Sequence, residues 1–197
     1  MSDLTPKPVS ASRTVITELM IPSYANFGGK VHGGILLSLM DKVAYACASR
    51  HAGTYCVTVS VDGVDFLRPA DVGDLVSLKA SVNYVGRTSL IVGIRVTAEN
   101  VQDNTIKHTN TCYFTMVARD SEGTPMLVPP LILETDEDLR RFVTAAERKK
   151  LRNRMRERMR AYKDEFTVDE AVRAAIEGER CSLKLPGATP GASQSRS

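Results

Sequence analysis

Two glycine pairs followed by a long apolar run with a single acid constrain this chain more than any other feature. The pairs are Gly28-Gly29 and Gly33-Gly34, and the run after them predicts a helix over residues 32–50, with Gly53 as its stop signal. The helix is apolar nearly all round, so we expect it to be buried. Asp41 is its one acid, and a carboxylate in such surroundings needs either a partner or a chemical task.

The start of this helix offers the second half of a site. Its unpaired N–H groups and the positive end of its dipole stabilise a negative oxygen, and glycine lets a ligand approach the backbone closely. Gly33 and Asp41 are eight residues apart, which is about 12 Å along a helix. One small carbonyl group cannot contact both on one straight helix, whereas two antiparallel copies bring Gly33 of one chain close to Asp41 of the other. The sequence therefore predicts a site shared between two subunits.

The composition excludes several classes of protein. The chain has 197 residues, of which 43% are hydrophobic and 25% charged, which suits one well-cored domain with an extension. Its four cysteines have neither CxxC nor zinc-like spacing, so we expect reduced thiols, a cytoplasmic location and no metal site. Residues 1–13 contain no apolar signal segment and the longest apolar run stops at Asp41, so we expect neither export nor a membrane partner.

The charge of the chain is unevenly distributed. Residues 148–163 carry nine Lys or Arg and one acid, so this segment has a charge of +8 and the remainder −5, within a net charge of +3. A segment this basic favours an anionic partner, such as the phosphates of a small molecule, nucleic acid or an acidic protein surface.

Five strand-like segments accompany the helix. They cover residues 14–21, 55–66, 75–85, 90–99 and 107–119. One long helix among long antiparallel strands predicts an α+β fold in which the sheet wraps around the helix. We divide the chain into a flexible N-terminus (1–12), the α+β domain (13–131), a helical extension (132–180) and a disordered tail (181–197). A capping box at Thr167–Glu170 predicts the last short helix.

Several separated motifs carry a family likeness. They are Ala25-Asn26, Gly29, Val31-His32-Gly33-Gly34, Met40-Asp41, Val57-Thr58, Asp65-Phe66, Pro69, Gly73-Asp74 and Val85-Gly86-Arg87-Thr88-Ser89. In this order they resemble the motifs of acyl-CoA hydrolases of the hotdog fold, above all the bacterial short- and medium-chain enzymes and the brain-type cytosolic ones. The likeness extends over residues 13–155, about two-thirds of the chain or more.

The resemblance implies a hotdog dimer whose two central helices are antiparallel, commonly assembled further into a hexameric trimer of dimers. It implies an acyl-CoA thioesterase that releases fatty acid and CoA, with residues 13–131 as its domain and no cofactor beyond the CoA of the substrate. In such enzymes the acid that matches Asp41 is catalytic, and the residue that matches Asn26 acts from the facing subunit. The basic helix partly matches the family's C-terminal extension, and residues after 163 match nothing in the family.

Thioester hydrolysis needs stabilisation of the carbonyl oxygen together with an activated water or nucleophile. We expect the N–H of Gly33, aided by the helix dipole, to bind the carbonyl oxygen of the thioester. Asp41 of the partner chain then acts either as general base for water or as direct nucleophile through an anhydride, and the sequence does not separate these roles. Asn26 positions the water or the carboxylate. The simpler structural explanation is that Asp41 is a buried acid whose partner is either Ser38 or a group across a dimer contact.

Further residues are candidate contacts for the substrate, each with a plainer structural explanation. His32 either takes part in acid–base catalysis or orders the loop by hydrogen bonds. Gly34 either lets a ligand approach the backbone or allows a tight turn. Thr58 either faces the site or is an ordinary strand threonine.

Two basic groups are candidates for holding the phosphates of CoA. The first is the hairpin turn Arg87, Thr88 and Ser89. Its structural alternative is a solvated turn without a ligand. The second group lies on the basic helix, and we expect it to reach the 3′-phosphate and adenine end of CoA. Its structural alternative is a solvated helix face. The group comprises Arg148, Lys149, Lys150 and Arg152.

Three other functions fit the sequence less well. A non-enzymatic acyl-CoA-binding regulator on the same fold is the main alternative, but it predicts loss of the catalytic acid, and both Asn26 and Asp41 are present. A hotdog dehydratase pairs a histidine with an acid at a spacing that His32 and Asp41 do not supply. A nucleic-acid-binding module needs a stacking platform, and residues 148–163 offer only Tyr162 as an aromatic.

Overall fold

An antiparallel five-stranded sheet is the largest element in a computed structural model that describes residues 4–183. Numbered in chain order, its strands are β2 Thr14–Leu19, β3 Tyr55–Val61, β4 Asp74–Val85, β5 Ser89–Asn100 and β6 Thr105–Arg119. All five predicted strands are confirmed, although β3 is shorter than expected. The order across the sheet is β2-β4-β5-β6-β3, so β2 and β3 form its edges.

A 20-residue helix, α2 Gly33–Ala52, packs on one face of this sheet and contacts all five strands. Its buried residues Met40, Val43 and Cys47 share one core cluster with inward-facing residues of the strands. Gly53 ends the helix in the left-handed conformation with φ 70°, which glycine adopts without steric cost. The predicted α+β hotdog architecture, with a sheet wrapped around a long helix, is confirmed.

Helix α2 is not buried all round within the single chain, which corrects the expectation drawn from its composition. Leu37, Asp41 and Tyr45 form an exposed stripe at the spacing of one helix face, and Leu37 and Tyr45 are 38% and 44% exposed. The sheet covers the other side of the helix only. Asp41 is consequently an exposed carboxylate in one chain rather than the buried acid that we expected.

Part of the expected flexible N-terminus is ordered, which corrects that prediction for residues 7–12. Strand β1 (Lys7–Pro8) pairs in parallel with β7 (Leu131–Ile132), and helix α1 (Val9–Ser12) follows directly. The hydroxyl of Ser12 is buried and hydrogen bonds to backbone groups of both α1 and β4. These contacts join segments far apart in the chain, so they leave no local pattern in the sequence.

The predicted helical extension is helical, but its start at 132 is not the boundary between compact units. The chain divides after residue 151, and helix α3, Asp136–Glu165, crosses this boundary. In the second unit, α4 (Glu170–Ala175) is capped by the Asp169 side chain, which accepts a 2.9 Å hydrogen bond from the helix backbone, rather than by the predicted Thr167. Residues 184–197, most of the expected disordered tail, lie outside the described residues, as do residues 1–3. Among residues 4–183 no helix is both long and apolar enough to cross a bilayer.

A buried histidine near the end of α2 makes the fold sensitive to acid. His51 Nε2 lies 2.8 Å from the carbonyl oxygen of Pro129, while Nδ1 has no hydrogen-bond partner among the described residues. Burial lowers the pKa of His51 below its ordinary 6.5, an effect that the Pro129 hydrogen bond opposes and the nearby Lys7 charge reinforces. The folded protein therefore disfavours the protonated imidazole.

This lowered pKa gives a stability prediction with a defined sign. The unfolded chain binds the His51 proton more readily, so the stability due to the neutral imidazole is complete above 6.5 and is lost as the pH falls toward the folded-state pKa. We expect the melting temperature of the wild type to fall between about pH 7.5 and about pH 5.5 more steeply than that of His51→Gln. Glutamine can donate to Pro129 but does not titrate. Equal slopes in the two proteins, measured by thermal melts, would contradict the assignment.

Candidate active site

A carboxylate on α2 and a hydroxyl on β3 are hydrogen bonded at the exposed stripe of the helix. Thr58 Oγ1 donates to Asp41 Oδ1 over 2.6 Å, and the same hydroxyl lies 3.1 Å from the sulfur of Met116. A hydrogen bond this short orients the carboxylate. Thr58, which we expected to contact the substrate, thus contacts Asp41, and the second carboxylate oxygen remains for chemistry.

Asp41 lies at the wall of a shallow, mostly apolar groove of about 450 Å³. The groove runs between the exposed side of α2 and the segment that follows β3. Its apolar lining residues are Leu37, Val61, Val64, Phe66 and Phe114. Such a groove suits a hydrocarbon chain whose polar end lies beside the carboxylate.

The start of α2 is ordered by a side-chain cap that explains the second glycine pair. His32 is the N-cap residue, and its Nδ1 accepts a 2.8 Å hydrogen bond from the N–H of Gly34. A Cβ at position 34 would lie 2.9 Å from this nitrogen, so only glycine leaves room for the capping ring. The loop-ordering interpretation of His32 therefore describes what its ring does within one chain.

The cap leaves one donor of the helix start unused. The Gly33 N–H makes no hydrogen bond to any of residues 4–183, whereas the next two N–H groups bond to His32. A Cβ on Gly33 would lie 3.4 Å from the ring of Phe66, so the donor is adjacent to one end of the apolar groove. A carbonyl oxygen placed here receives a backbone hydrogen bond at the positive end of the helix dipole.

Asn26 organises the loop that precedes the helix. Its Oδ1 accepts hydrogen bonds from the backbone N–H groups of Gly28 at 2.9 Å and Lys30 at 3.2 Å. Because backbone N–H groups only donate, these contacts fix the orientation of the amide. The side-chain NH₂ group makes no hydrogen bond to any of residues 4–183 and is the part of Asn26 left to bind a ligand or a carboxylate.

Ion pairs anchor this loop to the sheet. Asp71 pairs with both Lys30 in the loop and Lys107 on β6, and Lys107 also pairs with Asp74 at 3.0 Å. The hydrogen bonds from Lys107 and Lys30 hold the pKa of Asp71 below its ordinary value. The loop that carries Asn26 is thus held near its carboxyl end both by the Lys30 ion pair and by the His32 cap.

Within one chain the predicted catalytic residues form two separate groups. Asn26 and Gly33 lie at the amino end of α2, whereas Asp41 lies about 12 Å farther along the same helix. The exposed stripe of α2 continues onto the edge strand β3, where Tyr55 and Val59 are 56% and 51% exposed. We call this combined surface, the α2 stripe and the outer edge of β3, the open face.

The hairpin between β4 and β5 lies beside Lys149 of α3. The backbone of the turn is fixed by a 2.7 Å hydrogen bond from Gly86 N to Ser89 O, and the Arg87 side chain is exposed. Lys149 Nζ lies 5.0 Å from the ring centre of Tyr84 and 3.2 Å from where a Cβ on Gly86 would be. The structure therefore places Lys149 beside the turn formed by Arg87, Thr88 and Ser89.

The remaining basic candidates differ from one another. The Arg148 guanidinium lies over the ring of Tyr113, 4.1 Å from its centre, a cation–π contact. Lys150 is exposed and pairs with Glu147 within the helix at 3.3 Å. Arg152 is the first residue of the second unit.

The cysteines do not supply a nucleophile near this site. All four are free, and Cys47, Cys56 and Cys112 are buried. Burial raises the pKa of these three thiols to about 12, 11 and 12 respectively, so none is a thiolate at neutral pH. Asp41 is thus the acid–base or nucleophilic candidate that the open face presents.

Sequence reasoning missed the apolar groove and the two tyrosines under the basic helix. Tyr113 alternates with the inward residues Cys112 and Phe114 on β6, so its outward position was available from the pattern. Tyr84 follows a β-bulge after Val82 that reverses the alternation of β4, so its outward position was not. Phe66 carried no such signal because it lies in the irregular segment after β3.

Comparison with known proteins places the chain in a family. The family model described as Thioesterase superfamily matches residues 28–104. VdlD of Helicobacter pylori is 44% identical over 152 residues, which cover 77% of this chain and 87% of VdlD. The uncharacterized acyl-CoA thioester hydrolase YkhA of Bacillus subtilis is 33% identical over 159 residues, or 81% of this chain and 92% of YkhA.

Solved structures of such enzymes share the fold. A hexameric acyl-CoA thioesterase without ligand matches with a TM-score of 0.74 and 38% identity, over 76% of this chain and 97% of that one. The acyl-CoA hydrolase of Staphylococcus aureus, in complex with butyryl-CoA and CoA, matches with a TM-score of 0.72 and 32% identity, over 81% and 100% of the two chains. The chain therefore belongs to the hotdog-fold acyl-CoA thioester hydrolases of the thioesterase superfamily.

Proposed function

We propose that the protein hydrolyses the thioester bond of acyl-CoA to release a carboxylic acid and free CoA. The observation that carries this proposal is the Asp41 carboxylate, oriented by Thr58 at the wall of an apolar groove. The acyl chain lies along the groove, and the thioester is next to the carboxylate. That the reaction uses no cofactor beyond the CoA of the substrate, and takes place in the cytoplasm, stays a prediction.

The N–H of Gly33 binds the thioester oxygen as negative charge develops on it. This assignment is supported by the donor's lack of a partner among residues 4–183 and by its place beside Phe66 at the groove. A preorganised backbone donor stabilises a tetrahedral intermediate more than the planar ground state. The NH₂ group of Asn26, on the loop that precedes α2, positions the water or the carboxylate.

Asp41 takes one of two roles that use the same geometry. As general base it removes a proton from water, the resulting hydroxide adds to the carbonyl, and the C–S bond breaks as the proton passes to the CoA sulfur. As nucleophile it attacks the carbonyl itself and releases CoA, and water then hydrolyses the anhydride. Both routes consume one water and yield one acid and one thiol.

The complete site draws its residues from two chains packed through the open face. Antiparallel α2 helices bring the Gly33 of one protomer toward the Asp41 of the other, which no single chain achieves. The exposed apolar residues on α2 and the unpaired edge of β3 supply a surface suited to self-association. A dimer, and by analogy with the hexameric relative a trimer of dimers, is the assembly we propose.

Variants of a relative support the choice of residues. The Staphylococcus aureus hydrolase has been solved with an asparagine, an aspartate and a threonine each replaced by alanine. Those three positions are separated by the same chain intervals as Asn26, Asp41 and Thr58. We assign Thr58 here as a positioning residue for Asp41.

Lys149 and the turn at Arg87 hold the phosphates of CoA, far from the reacting bond. We expect Lys149→Ala to raise KM for acyl-CoA roughly tenfold with little change in kcat, because a remote contact contributes equally to ground and transition states. The neighbouring Lys150→Ala is the matched control, since Lys150 is exposed and paired with Glu147. A large loss of kcat in Lys149→Ala would contradict this assignment.

Release of free thiol from a series of acyl-CoA esters, from acetyl-CoA to palmitoyl-CoA, tests the proposed function. We expect turnover of at least part of the series, with a preference set by how much of the groove the chain fills. Binding of CoA without thiol release from any ester would instead identify a non-enzymatic acyl-CoA-binding protein.

A further inference from the structure

The second compact unit carries a line of exposed apolar side chains on the last turns of α3. They are Met155, Met159, Tyr162 and Phe166, and Met155 and Tyr162 are 62% and 57% exposed. The first three lie within an arc of about 60° on the helix surface. Phe166 follows directly after the helix ends, and its ring centre lies 5.6 Å from that of Tyr162. We call these four residues the extension stripe.

Cationic side chains border the extension stripe along both edges, and all of them are exposed. At about 100° per residue, one edge consists of Arg154 and Arg158 and the other of Arg156 and Lys163. The opposite side of the helix carries two of the three acids of residues 152–166, namely Glu157 and Asp164. The helix therefore has an apolar line between two cationic edges and acids at its back.

This arrangement disfavours a second copy of the same helix as the occupant of the stripe. Two copies packed stripe to stripe, in either direction, bring the cationic edges of one helix against those of the other. Like charges at these positions repel, whereas helices that pair with themselves place opposite charges there. The edges therefore favour an anionic partner.

The partner must also accept apolar side chains between its negative charges. Nucleic acid presents phosphates to the edges but no apolar surface to the stripe. An acidic protein needs a concave apolar groove with carboxylates along both of its walls. A bilayer of anionic phospholipids offers both properties at any point of its surface, because the phosphates lie directly above the acyl chains.

We propose that residues 152–166 lie on the surface of a membrane that contains anionic phospholipids. The extension stripe enters the boundary between headgroups and acyl chains, and the long arginine and lysine side chains of its edges extend back to the phosphates. Tyr162 suits this depth because its ring is apolar and its hydroxyl is polar. The expectation of no membrane partner rested on the lack of a spanning segment, and a helix that lies on the surface needs none.

Cosedimentation of the assembled, full-length protein with vesicles tests the proposal. We expect binding to vesicles of equal parts phosphatidylglycerol and phosphatidylcholine, weaker binding as salt is raised, and none to phosphatidylcholine alone. Met155→Gln/Met159→Gln is expected to bind the anionic vesicles at least about tenfold more weakly. The matched control Met155→Leu/Met159→Leu keeps the apolar volume and is expected to bind like the wild type.

A second pair of variants tests the cationic edges. Arg154→Gln/Arg158→Gln is expected to lose at least about tenfold in binding, whereas Arg154→Lys/Arg158→Lys keeps the charge and most of the affinity. All four positions are exposed, so the melting temperatures of these proteins in solution are expected to match that of the wild type.

A fluorescent reporter then shows whether the stripe itself enters the bilayer. The chain has no tryptophan, so Tyr162→Trp introduces a single indole into the stripe. Its emission is expected to shift to shorter wavelength when anionic vesicles are added, because the indole leaves water. Asn153→Trp places the indole at the back of the same helix and is expected to show no shift.

Four results would overturn the proposal. They are no binding of the wild type to anionic vesicles, equal binding by the wild type and Met155→Gln/Met159→Gln, an equal spectral shift for the two tryptophan reporters, and loss of the native oligomer in the glutamine variant. The last result would assign the stripe to a contact between copies of this chain. Binding of polyglutamate or single-stranded RNA in place of vesicles is the form of the first result that would assign the basic helix to a protein or a nucleic acid.

Discussion

Replacing Asp41 by asparagine is expected to reduce kcat about 10³-fold while the protein still assembles and binds CoA. Asparagine keeps the size of the side chain and an oxygen that accepts the Thr58 hydrogen bond. It neither removes a proton from water nor forms an anhydride, so both roles proposed for Asp41 are lost together. Steady-state thiol release at saturating acyl-CoA measures the effect, and titration of CoA checks that binding persists.

Asp136→Asn is the matched control for this experiment. Asp136 is an exposed carboxylate in the first turn of α3 and does not line the groove, so its amide variant is expected to keep wild-type turnover. Full activity in Asp41→Asn would remove Asp41 from the mechanism. Loss of CoA binding or of assembly along with turnover would make the carboxylate a structural residue of the open face.

Coexpression of two inactive chains is expected to restore activity if the site is shared. In a dimer of Asn26→Ala and Asp41→Asn chains, one site combines both substitutions and the other combines the intact Asn26 and Asp41. With random pairing, half of the dimers are mixed and each has one intact site, so we expect about a quarter of the wild-type activity. The measurement is thiol release by the coexpressed protein against each variant alone.

The control for restoration is a pair of chains altered at the same residue. Coexpressed Asp41→Asn and Asp41→Ala chains have no intact site in any pairing and are expected to stay inactive. If the Asn26→Ala and Asp41→Asn mixture is equally inactive although mixed oligomers form, then both residues serve one site within a single chain. The antiparallel helix pairing would then be wrong.

Features encoded by nearby residues were predictable from the sequence. The stop of α2 at Gly53, the start beside His32 and the alternation along β4 and β5 are local properties, and the structure has each of them. Lys149 and the turn at Arg87 were recognised from the sequence as two separate basic groups, whereas their juxtaposition is a tertiary contact that the sequence did not predict. The helix spacing between Gly33 and Asp41 also required no tertiary information.

Features that depend on the order of strands were not predictable. β3 pairs with β6 rather than with the next strand in the chain, and this non-sequential order defines the groove near Asp41. The two-residue pairing of β1 with β7 is too short to leave a periodic pattern, so residues 7–12 were expected to be flexible. Asp41 looked buried because composition does not tell which side of an apolar helix the chain itself covers.

The cap at the start of α2 also determines what His32 can contribute. Since a backbone amide has only a hydrogen to give, the ring nitrogen that meets Gly34 must be the bare one, and a neutral imidazole then carries its hydrogen on Nε2. The outward edge of the ring is therefore a proton-bearing edge. A histidine in the proposed site invites the role of proton acceptor, yet this tautomer equips it to donate a hydrogen bond to a negatively charged oxygen.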